Sequence, residues 1–354
     1  MTPRIRSIAT AVPEGTLARE RWTRLAVEIA PAGAPAAVIE RLAERSGIDR
    51  RGCAATPPEG GCFYPGVAGT PDAPDPGTAA RMALWRRTAF AMAERAGREA
   101  LAQAGIDGAH ITHCITASCT GYESPGADAH LVAALGLPAS CRRLNIGHMG
   151  CHAAVNALAA ARDAVLADPR ARVLVCCAEV SSAHFQRSLR MDRMVANAIF
   201  ADGCAAAVVA AGDRGPDVAA AHTVLIPGTA DEMRWTVGDH GFEMTLGARV
   251  PDILRDAVGP WVTGALAGHG LAVTDIGGWA IHPGGPRVLD AVAEALALPA
   301  GSDAHSRTVL REHGNMSSAT LLFILRRMLD AGVPRPWVGL AFGPGLVGEM
   351  LLVR

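Results

Sequence analysis

The chain has 354 residues, half of them hydrophobic and 19% charged, which suits a well-buried α/β protein of two packed halves and excludes a disordered chain. A formal net charge of −1 gives no global field to attract nucleic acid or an anionic membrane, so neither is expected as a partner. All 33 basic residues are arginine, which excludes Schiff-base and lysine-base chemistry.

In chain order, strand-like and helix-like patterns alternate, predicting a mainly parallel, layered α/β fold. Residues 4–13 (RIRSIATAVP) read as a strand and 16–51 as helical arms ending in ERLAERSGIDRR. The Pro/Gly-rich stretch Pro57–Gly77 must be loop. An amphipathic helix over Ala79–Gly105 follows, then a strand over His110–Cys119, the loop Glu123–Asp128 and another helix. The chain enters a strand and turn near Leu144–Gly150, then the small-residue helix Cys151–Ala167. Strands Arg172–Val180 and Gly203–Ala211 complete a first half, residues 1–220. The second half, 221–354, begins with the extended segment His222–Pro227, the helix Val250–Ala267 and the strand Gly278–His282. Helices from Pro286 and over Ser317–Asp330 follow, and strands Trp337–Phe342 and Gly348–Arg354 close the chain around GPGLVG. Nine cysteines occur without C-x-x-C pairs, and Cys114, Cys141, Cys176, Cys177 and Cys204 read as small buried hydrophobes. No signal peptide opens the chain and no apolar run is long enough to span a bilayer, so a reducing cytoplasm is expected.

Three segments carry chemistry. In NIGHMGCHAAVNALAAARDAVL, Gly150 allows a sharp turn and Cys151 opens a helix made mostly of alanine. A helix N-terminus favours a thiolate by roughly 0.3–2 kcal/mol. With an imidazolium nearby, a cysteine pKa can fall to about 3.5–7.5. In GGWAIHPGGPRVLDAV, His282 ends an apolar strand that runs into glycines, where open α/β sheets place catalytic groups. In REHGNMSSATLLFILRRML, Gly314 and Asn315 precede an apolar helix with Ser317 or Ser318 available as N-cap. Taken singly, each has a plain structural reading: a buried thiol, a core histidine, a turn asparagine.

Together, in the order Cys, His, Asn, with G-C before a small-residue helix, H-P-G-G-P after a strand and G-N-M-S-S-A before a helix, they resemble the type III polyketide synthases of the chalcone synthase kind. The closing A-F-G-P-G-L (Ala341–Leu346) resembles that family's G-F-G-P-G loop. The resemblance covers nearly the whole chain. It implies a thiolase-like five-layer αβαβα fold built from two similar halves, and a homodimer. It also implies an enzyme that loads an acyl-CoA starter onto Cys151, condenses it with malonyl-CoA by decarboxylative Claisen steps and cyclises the product. His282 would hold Cys151 ionised, and His282 and Asn315 would donate to the thioester oxygen, fixed donors there being worth about 2.7–4 kcal/mol each. No metal and no organic cofactor is required. Phe200 matches the family's aromatic gatekeeper beside the cysteine, and Met244 stands where plant members carry a second Phe. Cys119, Thr120, His184, Ser317 and Phe342 match cavity-lining positions. Ser124 matches a loop that reaches across the dimer interface. Arg41, Arg45 and Arg287 match basic positions for CoA, and arginine suits diphosphate through its bidentate fork.

Some residues depart from the family pattern. His148-Met149 replace the usual Gln pair or Gln-Leu before Gly-Cys, and an unusual His152 follows the nucleophile. His184, where a smaller residue is usual, is either a second acid/base or a wall. Loss of an aromatic ring at Met244, with His184, points to an aliphatic or short acyl starter rather than coumaroyl-CoA. The competing reading is a starter ketoacyl synthase fed by acyl carrier protein. That family follows its His with Gln-Ala-Asn, whereas Pro283-Gly284-Gly285 stand here.

Overall fold

The computed structural model describes residues 2–31, 33–57, 61–64 and 74–354. Much of the loop expected over Pro57–Gly77 lies outside these residues. The first half contributes β1 (Pro3–Ala11), β2 (Thr16–Ala18), α1 (Arg19–Ile29), α2 (Ala36–Arg45), β3 (Arg50–Gly52), α3 (Thr78–Ala104), β4 (His113–Ser118), α4 (Ala127–Ala134) and β5 (Arg142–Gly147). It continues with α5 (Ala153–Ala167), β6 (Arg172–Val180), α6 (Met191–Ile199) and β7 (Asp202–Ala211). The second half holds β8 (Val218–Leu225), β9 (Met233–Gly238), β10 (Gly241–Leu246), α7 (Val250–Ala267), β11 (Gly278–Ile281), α8 (Pro286–Ala295), α9 (Ala304–His313), α10 (Ala319–Asp330), β12 (Trp337–Gly343) and β13 (Val347–Val353).

Two sheets result, one ordered β2-β3-β7-β6-β4-β5 with β1 also on β7, the other β11-β12-β13-β8, and β9 and β10 form a separate hairpin. The ladders are mixed rather than mainly parallel. β4 runs parallel to β5 and β6, but β6–β7, β1–β7, β12–β13 and β13–β8 are antiparallel. A tight turn at Pro344–Leu346 returns the chain beside β12, which only an antiparallel pair permits.

Period-two alternation sorts the side chains into layers. On β6, Val173, Val175 and Cys177 face the middle of the molecule, whereas Leu174, Cys176 and Ala178 face α3 on the outside. On β12, Trp337 and Ala341 face the middle, and Val338, Leu340 and Phe342 face α7 and α8. Between the sheets lie α5 and α10, so the order is helix, sheet, helix, sheet, helix. The alanines of α5 follow from this position. Ala153, Ala154, Ala157 and Ala161 are fully buried between two sheets, where bulk would force the layers apart. Several elements carried weak sequence signals. The segment 16–51 contains two short strands as well as two helices, the first-half strand starts at His113 rather than His110, and α6, α9 and the β9–β10 hairpin were not expected.

Candidate active site

Gly150 makes the turn that places the nucleophile candidate. Its φ is +86°, and a Cβ there would lie 2.4 Å from Pro344 Cδ, so only glycine lets this turn lean on the C-terminal loop. Cys151 does not open the helix: it sits in the turn, and α5 begins at Ala153. Its side chain is buried, and Ser317 Oγ donates to Cys151 Sγ at 3.5 Å. Ser317 Oγ is also 2.9 Å from Cys119 Sγ, which makes one hydroxyl a bridge between two thiols.

Burial works against charge on both members of the expected thiolate–imidazolium pair. Burial pushes the Cys151 thiol up to about 12, with the nearby Glu179 charge adding to the effect against hydrogen bonds from Ser317 and Asn315. Burial takes His282 down to about 3. Removal from water penalises both charges.

His282 follows β11, its backbone N–H donating to Leu340 O at 2.7 Å, and neither ring nitrogen has a hydrogen-bond partner. Asn315 is fixed by a bridge to Phe200, with Ala201 N donating to Asn315 O at 2.8 Å and Asn315 N to Ile199 O at 3.1 Å. Its Oδ1 accepts from Ser317 N at 2.8 Å, leaving the amide nitrogen for the cavity. Neither serine caps α10. Ser317 takes a left-handed φ of +47° and turns to the thiols, while Ser318 Oγ donates to Glu179 at 2.5 Å. Cys151, Phe200, Met244, His282, Asn315 and Phe342 line one cavity. A neighbouring one is lined by Cys119, Thr120, Cys151, Ser317 and again Phe200 and Met244.

Three residues here were not singled out in the sequence. Glu179, wholly buried, accepts from Thr120 Oγ1 at 2.6 Å, Ser118 Oγ at 3.2 Å, Cys119 N at 3.1 Å and Ser318 Oγ. A lone acid in the apolar run VLVCCAEV was the signal. Trp235, on the hairpin, borders the Cys151 cavity and donates through Nε1 to Cys119 O at 2.5 Å. Ser181, buried and with an unpartnered hydroxyl, lines the same cavity.

The His184 ring is tied at both nitrogens. Its Nε2–H donates to Thr120 O at 2.6 Å, Phe242 N donates to its Nδ1 at 2.9 Å, and the ring stacks on Phe242 at 4.2 Å. Burial holds it neutral, its pKa taken down to about 3.

A wider cavity of about 910 Å³ opens beyond Val250, Gly284 and Val288, residues it shares with the His282 cavity, and is lined by Arg45 and Arg287. Arg41 is exposed and outside this lining, since the cavity meets only the last turn of α2, Leu42 to Ser46. Among the described residues no cluster of three or more His, Cys, Asp or Glu is arranged to hold a metal, and no helix is long and apolar enough to cross a membrane.

Comparison with known proteins agrees with this geometry. The family described as "Chalcone and stilbene synthases" matches through its N-terminal domain over residues 6–213 and its C-terminal domain over 217–354. A 1,3,6,8-tetrahydroxynaphthalene synthase from Streptomyces peucetius subsp. caesius is 34% identical over 99% of this chain and 92% of its own. The alpha-pyrone synthesis polyketide synthase-like Pks18 of Mycobacterium tuberculosis is 34% identical over 77% of this chain and 72% of its own. The crystal structure of PKS-I from the brown alga Ectocarpus siliculosus superposes with a TM-score of 0.94 at 28% identity, covering 100% of this chain and 98% of that one. Fold, motifs and relatives converge: the chain belongs to the chalcone and stilbene synthase family, the type III polyketide synthases.

Proposed function

We propose that this polyketide synthase loads a short acyl-CoA starter on Cys151, extends it with malonyl-CoA and closes the chain to a small aromatic or pyrone product. The single observation that carries this reading is the cavity shared by Cys151, His282, Asn315 and Phe200. As Cys151 Sγ attacks the starter carbonyl, its proton passes to His282, and the departing CoA thiolate takes that proton back. The covalent intermediate divides one hard transfer into two easier ones. Malonyl-CoA then loses its carboxylate as CO₂, and the electron pair of the broken C–C bond forms an enolate. His282 and the amide nitrogen of Asn315 stabilise its oxygen. The enolate carbon attacks the acyl carbon, and the Cys151 thiolate leaves. Phe200 offers an apolar face that favours neutral CO₂ over the carboxylate.

Arg45 and Arg287 at the mouth of the 910 Å³ cavity suit the CoA phosphates. The cavities beside Cys151 are walled by Phe200, Met233 and Met244, which supports a small starter over a coumaroyl group. β5 forms a sheet edge with Arg142–Asn145 exposed, and Tyr122, Leu144 and Met149 are exposed apolar side chains near the Ser124 loop. A second copy pairing there in a homodimer accounts for both features. Nine free cysteines suit the cytoplasm. The test is incubation with malonyl-CoA labelled at its free carboxylate and a panel of acyl-CoAs, without carrier protein. Labelled CO₂ release with short starters supports the reading, and a strict requirement for carrier protein or for coumaroyl-CoA overturns it.

A further inference from the structure

Phe200, which lines both cavities beside Cys151, is the C-cap of α6. The last carbonyls of a helix have no partner within it, and leaving them unmet in a buried place is costly. Arg51 supplies the donors. It is 3% exposed, and it donates through Nη2 to Ala198 O at 2.7 Å and through Nη1 to Phe200 O at 2.9 Å, with a longer bond to Asn197 O at 3.4 Å. Its guanidinium lies over the Trp22 ring of α1, 4.5 Å from the centroid, which offsets part of the cost of burying a cation. Asp202, nearby, gives its carboxylate to Ala54 N, Ser182 N and Ser182 Oγ instead. Among the described residues, the hydrogen bonds of the Arg51 side chain therefore all serve this helix end.

Arg51 reaches this place because β3 is pressed on the start of β7. Gly52 pairs with Asp202, and a Cβ at Gly52 would lie 2.5 Å from Asp202 O, so a larger residue would push the strand away. Arg51 also abuts the turn that presents Asn315. A Cβ at Gly314 would lie 2.7 Å from Ala201 Cβ and 3.5 Å from both Arg51 Cβ and Ile199 O. The backbone bridge between Phe200 and Asn315 joins the two packed segments, with Asn315 N donating to Ile199 O and Ala201 N to Asn315 O. One side chain thus braces the apolar ring and the amide that the decarboxylation uses. Cys151 stands on a different support, the turn at Gly150 that leans on Pro344.

We infer that Arg51 is a positioning residue for the decarboxylation: by holding the carbonyls of Ala198 and Phe200 it sets the Phe200 ring and the Asn315 amide against the malonyl group, without touching substrate. This role depends on those of Phe200 and Asn315 in the reaction above. Arg51 exchanges no proton. The bond that breaks is still the C–C bond to the carboxylate, and its electron pair passes to the enolate. Placement matters at this step because a shift of about 1 Å at a reacting group can cost about 10²-fold in rate. Loading of Cys151 uses His282 and neither of the braced side chains, so it does not share the dependence.

The experiment compares two rates in each enzyme: acylation of Cys151 by an acyl-CoA starter, read as adduct mass after rapid quenching, and release of labelled CO₂ from malonyl-CoA. Arg51→Met keeps the length of the side chain and removes its donors, and Arg51→Lys keeps the charge with a single donor group. In Arg51→Met decarboxylation falls by about 10–100-fold while loading stays within about threefold of the parent. Arg51→Lys shows the same split at a smaller size, so it carries the test should Arg51→Met fail to fold. Loading and decarboxylation that fall together, or decarboxylation unchanged in both variants, overturn the inference, whatever the melting temperatures do. Asn315→Ala serves as the reference. Decarboxylation at the parent rate in that variant removes the role of Asn315 and this inference with it, whereas a loss there beside unimpaired Arg51 variants removes the inference alone.

Discussion

Glu179 and His282 both belong to the surroundings of Cys151, and the fold treats them in opposite ways. Around Glu179 hydrogen bonds from Ser118, Cys119, Thr120 and Ser318 converge on one carboxylate. Around His282 both ring nitrogens are buried and unpartnered. Buried polar groups are ordinarily satisfied, so a fully bonded cluster reads as architecture and an orphaned ring reads as a group awaiting a substrate. The same contrast separates His282 from His184, for which the sequence left open either a second acid/base or a wall. His184 is tied at both nitrogens and His282 at neither.

That contrast can be broken at several points. The largest effect falls on the sulfur: Cys151→Ala abolishes the acyl-enzyme adduct seen by intact-protein mass spectrometry, and a persisting adduct would place the nucleophile elsewhere. Next is the unpartnered ring. His282→Gln lowers malonyl-CoA decarboxylation by about 10²–10³-fold, the usual cost of one lost donor at a developing oxyanion, while the melting temperature changes little. Glu179→Leu should do the reverse of a purely chemical lesion. It strands several buried donors and costs on the order of 3 kcal/mol or more in denaturant unfolding, so an unchanged midpoint would remove Glu179 from the architecture.

A smaller effect concerns specificity. Trp235→Ala opens the wall of the Cys151 cavity and frees the Cys119 carbonyl, so longer acyl-CoA starters gain in kcat/KM relative to short ones. An unchanged ratio across the panel rules out a gating role for this ring. The smallest effect is a pH slope. The His184 pKa is depressed by burial to about 3, below its ordinary 6.5, so the unfolded chain binds more protons between these values. The stability His184 contributes is therefore present above pH 6.5 and is lost as pH falls towards 3. His184→Gln should flatten that loss by up to about 1.4 kcal/mol per pH unit, read from unfolding midpoints between pH 6.5 and 4.5.

How much of this was legible in the sequence depended on whether a residue's role was written locally. Gly150 before Cys151 and the glycines after His282 mark strand-to-turn junctions, Gly314 before Asn315 marks the end of α9, and the cavity gathers all three side chains. The layer pattern could be read in the same way, from alternation on the central strands and alanines on α5. Thiol acidity was not legible. A position before a helix suggested an easily ionised sulfur, but ionisation depends on burial and on Glu179, which sits 28 residues downstream and meets the sulfur only after folding. Trp235 escaped notice because its hairpin is half exposed and alternates weakly. Arg41 looked equivalent to Arg45 one helical turn away, and only the end of α2 reaches the cavity.

The contact between Gly150 and Pro344 has a consequence for biosynthesis. The turn that aims the nucleophile is braced by a residue 194 positions later in the chain. A nascent chain emerging from the ribosome amino end first can fold its leading sheet early, but the turn at Cys151 stays unbraced until Pro344 has been made.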